Sequence, residues 1–254
     1  MDHVLLLELL KFPGLSESDR MIYIRVCITR PGSLKELIAG TGLSRNTVSK
    51  SCRRLEQAGW LNLVKNGAKI IPVPTAPKAV KTEQAKSIEH RFKFCAHKGE
   101  FLTKHYLDCL VPQRNYIDNA RPDFLVYPLT GERLEIDRYF PEEKVGFEFN
   151  GPQHYGVTDM YPDEEQFRQR RVRDMFKIGA CAEHGVVLTV LTAADLSVGR
   201  MRQKIPPRLP QDTVDMDDPV IQTLERLSRH YRRQIEKIEK RAGHGVSGPR
   251  SQMA

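Results

Sequence analysis

Apolar positions recur along this chain with two different periods, and each change of period marks a change of element. "SESDRMIYIRVCI" carries Met21, Ile24 and Ile28 at helical spacing, with Ser16 and Asp19 as candidate caps. "GSLKELIAGTG" predicts a second helix, with Ser33 as N-cap and Glu36 three residues on, the signature of a capping box, and Gly40 and Gly42 as its stop. "LSRNTVSKSCRRLEQAGW" predicts a third, capped by Ser44, with Val48, Cys52 and Leu55 on one face and Gly59 at its end. In "WLNLVKNGAKIIPV" the period falls to two, and Asn66-Gly67 joins two alternating runs as a type I′ hairpin turn.

The next stretch, "PVPTAPKAVKTEQAKS", is rich in proline, alanine and lysine, which is a linker composition. It places a domain of residues 1–75 before a linker at 76–87. A helix follows over about 84–109, with Ile88, Phe92, Cys95 and Phe101 as its apolar positions and an interruption near Gly99. "RPDFLVYP", "ERLEIDRYFP" and "KVGFEFN" read as strands, Asp163–His184 as an arginine-rich helix, and "GVVLTVL" at 185–191 as a buried strand. These elements make a second domain of 88–200. The remainder, 201–254, is an extension with a basic helix near 217–242. The fold class is α+β.

Composition adds a partner class. The 254 residues carry a net charge of +8, which favours a polyanion such as nucleic acid. The five cysteines are scattered without a CxxC pair, so neither a zinc knuckle nor a disulfide framework is indicated. "MDHVLLLELLKF" lacks the basic leader and cleavage site of a signal peptide. No run approaches the roughly 20 apolar residues that span a bilayer. The expectation is a reducing, cytoplasmic protein with no membrane partner.

The order helix, helix, turn, helix, hairpin in the first 75 residues resembles winged helix-turn-helix DNA-binding domains. Ser44, Arg45, Asn46, Thr47 and Lys50 then lie at the start and on the outward face of the third helix, within reach of base edges and phosphates. Lys65 and Lys69 flank the tip of the hairpin, beside the backbone or a minor groove. Protein contact through the same domain is the competing reading.

The central segment carries the candidate chemistry. Glu148 stands inside the apolar strand "KVGFEFN", and Glu135 and Asp137 are two apart in "LEIDRYFP", on one face of a strand. If these strands pair, Asp137 and Glu148 converge. Two such carboxylates repel unless a cation lies between them. Mg²⁺ or Mn²⁺, held by one or two carboxylates, waters and substrate phosphates, removes that conflict. Gln153 and His154, just past the turn, stand where they could orient a water or move a proton. Ordinary surface ion pairs are the plainer reading of each residue alone.

"RPDFLVYPLTGERLEIDRYFPEEKVGFEFNGPQHY" with "RDMFKIGACAEHGVVLTVL" resembles the PD-(D/E)xK, restriction-endonuclease-like nucleases, over about residues 84–195. The similarity is greatest to the branch of very-short-patch-repair and phage homing endonucleases. The resemblance implies a central mixed sheet flanked by helices and a metal-dependent DNA endonuclease. It assigns Asp137 and Glu148 to the metal, Gln153 and His154 to the polar pair after the turn, and Glu89 to the first core helix. Asp174 and Lys177 match the following helix. Asn150 occupies the position where these nucleases carry lysine, and it can orient water but holds no charge. That departure motivates the alternative of a DNA-binding regulator or initiator with an inactive nuclease-like domain. Pro122-Asp123 also spells the "PD" of the motif, but Asp137 has the better strand context and spacing, which leaves Asp123 structural. Arg168 and Arg171 on the arginine-rich helix offer a grip on the DNA backbone. A homodimer fits double-strand cleavage, and a monomer fits nicking.

Overall fold

A computed structural model describes residues 3–151 and 164–244. The chain divides into two compact units. The first comprises the residues up to Lys93 with Asp215–Gln222, and the second comprises Phe94–Val214 with the residues from Thr223 onward.

The first unit contains α1 (His3–Lys11), α2 (Glu17–Thr29), α3 (Leu34–Thr41), α4 (Arg45–Gln57), and the strands β1 (Leu61–Asn66) and β2 (Lys69–Pro74). Helix starts follow local hydrogen-bond chemistry. Ser16 accepts from the Asp19 amide at 3.2 Å while the Asp19 carboxylate accepts from the Ser16 amide at 2.8 Å, a complete capping box. At α3 only half of the expected box forms. Ser33 accepts from Glu36 N at 3.2 Å, but the Glu36 carboxylate turns to the Gly32 amide at 2.9 Å. The buried face of α2 is Ile22, Tyr23 and Val26, whereas Met21 and Ile28, expected inward, are exposed. Trp60 is fully buried and makes edge contacts with Tyr23 and Phe12, at 5.1 and 5.5 Å between ring centroids. Removing such a ring costs about 3–5 kcal/mol, so Trp60 is the anchor of this core.

The β1–β2 register pairs Asn66 with Lys69, which leaves Gly67 and Ala68 as the central turn residues. Gly67 has φ of +58°. A glycine in the left-handed region at the first central position is the signature of a type II′ turn rather than the expected I′.

Residues 76–87, expected as a linker, are helical from Lys78, where α5 (Lys78–Phe94) begins. Alanine, lysine, glutamate and glutamine in "KAVKTEQAKS" are strong helix formers, and the prolines stop at Pro77. Gly99 does not interrupt a single helix. It lies in the first turn of a separate one, α6 (Lys98–Leu110).

The second unit is built on a four-stranded mixed sheet of β3 (Ile117–Ala120), β4 (Ile136–Phe140), β5 (Val145–Phe149) and β6 (Val187–Leu191), in that spatial order. The first three run antiparallel, and β6 lies parallel to β5. The parallel pair requires a crossover, which contains α7 (Glu164–Glu183). On α7, Phe176, Ala180 and Cys181 pack in a cluster with Leu125, Tyr127, Leu134 and Ile136. "RPDFLVYP" is not a strand. Its chain turns at Pro122, whose carbonyl accepts from Leu125 N, and its β pairing with Arg133 is an isolated bridge at Val126. After β6 come a short 3-10 turn (Ala193–Asp195), α8 (Val198–Lys204) and α9 (Pro219–His244). Among the described residues no helix is long and apolar enough to cross a membrane.

Candidate active site

The β4–β5 register pairs Arg138 with Phe147, and one further step sets Asp137 opposite Glu148 on one face of the sheet. Asp137 Oδ2 accepts a hydrogen bond from the Phe149 amide at 2.7 Å, which fixes the carboxylate across the two strands. Alternation sends the adjacent Arg138 elsewhere. That guanidinium is buried and pairs with Asp118 and Asp108, each at 2.7 Å. Arg138 therefore does not neutralise Asp137.

Glu148 is approached from α7. Lys177 Nζ lies 2.5 Å from Glu148 Oε1, with the two side chains 12% and 15% exposed. Glu148 Oε2 is buried with no hydrogen-bond partner. Lys177 follows Phe176, which is held in the apolar cluster, so the packing of α7 sets the height at which the ammonium meets the sheet.

Burial drives the electrostatics. Asp137 is pushed up to about 7, first by burial and then by the charge of Glu148, with the Phe149 amide pulling the other way. Glu148 is also raised, by burial first, against the lowering effect of Lys177 and with Asp174 pushing in the raising direction. Two buried acids with one ammonium leave excess negative charge.

Glu100, which sequence reasoning did not select, also bears on this pair. Its charge on α6 raises Asp137. The approach of α6 depends on Gly99. A Cβ there would stand 1.9 Å from a ring carbon of Phe149, so only glycine permits this closeness. Glu100 itself pairs with Lys104 at 2.5 Å. The signal in the sequence is "KGEF", a glycine in an otherwise helical run with an acid beside it.

Other expected residues fall elsewhere. Glu135 precedes β4 and is held by Asn119 at 2.9 Å and Arg121 at 3.1 Å, away from Asp137. Glu89 lies on α5, in the stretch belonging to the first unit. Asp123 is exposed and paired with Arg133 at 2.8 Å, as suits a structural role. Asn150 donates its amide to Leu191 O at 2.7 Å and so continues the β5–β6 ladder. Gln153 and His154 lie outside the described residues. Arg168 is exposed and pairs with Glu165 at 2.7 Å, and Arg171 is exposed on the same helix.

In the first unit, Ser44 and Thr47 are engaged with each other. Ser44 Oγ accepts from the Thr47 amide at 3.1 Å and shares a proton with Thr47 Oγ1 at 2.9 Å. Arg45, Asn46 and Lys50 are exposed on α4, and Lys65 and Lys69 on the hairpin. Arg54, further along α4, instead clamps the fully buried Asp19 at 2.7 Å. Burial pushes Asp19 up, but Arg54, Ser51 and Ser16 outweigh it and hold the carboxyl at about 2.

As a metal centre the donor set is small. Among the described residues no group of three or more His, Cys, Asp or Glu side chains gathers into a cage. Two facing carboxylates, one with an unsatisfied buried oxygen, are nevertheless the donor type for Mg²⁺ or Mn²⁺, which complete their shells with water and phosphate oxygens.

Comparison with known proteins yields viral relatives. The chain is 38% identical over 92 residues to "Uncharacterized protein 033L" of Invertebrate iridescent virus 3, covering 36% of this chain and 46% of that protein. It is 40% identical over 77 residues to "Uncharacterized protein 307L" of Invertebrate iridescent virus 6, covering 28% and 39%. It is 32% identical over 73 residues to "Uncharacterized protein 094L" of Frog virus 3, covering 28% and 47%. The chain thus spans less than half the length of these relatives. No protein family and no solved structure matches it.

Proposed function

We propose that this protein is a metal-dependent DNA endonuclease whose second unit hydrolyses phosphodiester bonds and whose first unit, a winged helix, binds duplex DNA. The observation that carries the reading is the buried Asp137–Glu148 pair with Lys177 set against Glu148. An acid pair that costs this much to bury is expected where charge is needed for chemistry.

Asp137 and Glu148 would hold a divalent ion. When bound, that ion supplies an activated water and neutralises charge on the phosphate. The Phe149 amide orients Asp137. Lys177 opposes the burial that raises Glu148 and places a positive charge beside the position of the phosphate. The lysine missing at Asn150 is thereby replaced in kind from α7, which favours an active site over a retired one. In the first unit, Arg45, Asn46 and Lys50 meet the major groove, and Lys65 and Lys69 contact the backbone.

Cleavage of supercoiled plasmid, linear duplex and branched DNA in Mg²⁺, Mn²⁺ or EDTA tests the proposal. Metal-dependent products that vanish in Asp137→Asn and Glu148→Gln support it. Absence of cutting on every substrate, with DNA binding intact, favours the regulator reading.

A further inference from the structure

At the carboxyl end of β5 the second unit has a cavity of about 510 Å³. Its walls carry Arg200 from α8, Arg229, Arg232 and Arg233 from α9, and Asn150, two residues beyond Glu148. Four arginines face one acid, Glu236, an excess of three positive charges. We propose that this cavity binds a phosphate-bearing nucleotide unit of a nucleic-acid strand, seating the strand next to Asp137 and Glu148. The inference rests on the nuclease reading for its choice of polymer and adds a strand-binding site to it.

The arginines are not neutralised by their neighbours. Glu236 lies three and four positions from Arg233 and Arg232, at spacings suited to helical ion pairs, yet among the described residues it pairs with neither. Glu225, four positions before Arg229, is occupied by the Tyr106 hydroxyl at 3.2 Å and the Val198 amide at 2.7 Å. Arg229 and Arg233, four apart, form a like-charge stack that weakens a helix unless an anion lies against it.

The inward face of α9 explains why the stack persists. Leu227, Tyr231 and Ile235 are buried and hold one side of α9 in the core, while Arg229 and Arg233 are exposed and Arg232 half-buried, and all three line the cavity. Arg200 is oriented from below, since one of its terminal nitrogens donates to Ala194 O at 2.6 Å. Guanidinium groups match phosphate oxygens two at a time, which a single ammonium cannot do. The volume exceeds that of one oxyanion and lies within the roughly 300–1,000 Å³ of small-molecule sites. Ile235, Ala193 and Ala194 add apolar wall against which a base or sugar can rest. A free nucleotide shares this chemistry, but the position of Asn150 in the wall, two residues along the chain from Glu148, favours a strand.

The test uses the full-length Glu148→Gln protein in EDTA, so that binding is read without cutting. Fluorescence anisotropy follows a short labelled single strand with a 5′-phosphate. Arg229→Ala/Arg233→Ala and, separately, the charge reversal Arg233→Glu should each weaken binding at least tenfold. In the double variant the dependence of log K on log salt should fall by about 1.4, the single-strand value for two lost phosphate contacts. Circular dichroism confirms that both variants are folded. Strand affinity equal to the parent in both folded variants overturns the proposal. Full displacement of the strand by a nucleoside monophosphate at equal affinity also overturns it, in favour of a free nucleotide. A strand that binds through these arginines to a protein that never cuts would leave the cavity assignment standing and remove the nuclease reading. With Glu148 restored and Mg²⁺ present, cutting that survives the same arginine substitutions, with strand binding unchanged in the Glu148→Gln background, removes the cavity assignment and leaves the nuclease reading standing.

Discussion

Lys177 and Glu148 are 29 positions apart in the chain, yet their charged groups stand 2.5 Å from one another. The lysine arrives on α7, in the crossover from β5 to β6. A positive charge at Asn150 would have come from the strand itself. From α7 it reaches the same carboxylate from above the sheet.

Lys177→Met keeps the apolar stem and removes the charge. The variant is expected to lose about 10²–10³-fold in metal-dependent cleavage, the typical cost of one preorganised charged or donor group. Lys177→Arg should recover part of it. Plasmid-cleavage rates at saturating metal decide the matter, and a Lys177→Met rate equal to wild type would remove Lys177 from the chemistry.

The acid pair predicts an unusual stability profile. Asp137 is raised from 3.8 to about 7 in the folded protein, so between these values the folded state holds a proton that the unfolded chain has released. Stability falls wherever the folded state binds more protons. The contribution is therefore complete below about pH 4 and is lost as pH rises through 7. Metal-free protein should melt at lower temperature at pH 8 than at pH 5. Asp137→Asn should flatten that dependence, and Mg²⁺ should raise the melting temperature most at pH 8. Thermal melts across this range, with and without the ion, check all three.

Gly99→Ala should destabilise the second unit by about 1–3 kcal/mol, the usual cost of forcing a methyl into packed space. It should also lower cleavage, because α6 must move. Adding Phe149→Leu, which shortens the obstructing side chain, should restore part of both. Denaturant midpoints of the single and double variants provide the comparison.

Arg45 and Lys50 are exposed on α4 without a structural duty, in contrast to Arg54, which clamps Asp19. Arg45→Ala and Lys50→Ala should each weaken duplex binding and reduce its salt dependence by about one ion. Arg54→Ala should instead lower the stability of the first unit. Binding titrations at several salt concentrations, beside thermal melts, separate the two effects.

Several of these features were legible in the sequence for identifiable reasons. Asp137 and Glu148 stood out because an acid within a period-two apolar run needs a partner, and a hairpin could bring the two together. The three helices and hairpin of residues 16–74 followed from caps and glycines. Glu135 misled because strand alternation put it on the face of Asp137, whereas β4 starts one residue later and Arg121 captures the side chain. The linker misled because its prolines masked a run of helix formers. "KGEF" marks Glu100 only faintly, because its bearing on Asp137 depends on a contact of Gly99 with a ring fifty residues away in the chain. Pattern along one segment carries no record of such a contact.

The Gly99–Phe149 contact also bears on inheritance. A ring resting on a bare α-carbon makes two distant positions answer to one space. In homologues that keep this sheet, an aromatic residue at 149 should travel with glycine at 99, and a larger residue at 99 with a smaller one at 149. Neither change is tolerated first without a period of weakened protein, so the pair should be inherited as a unit.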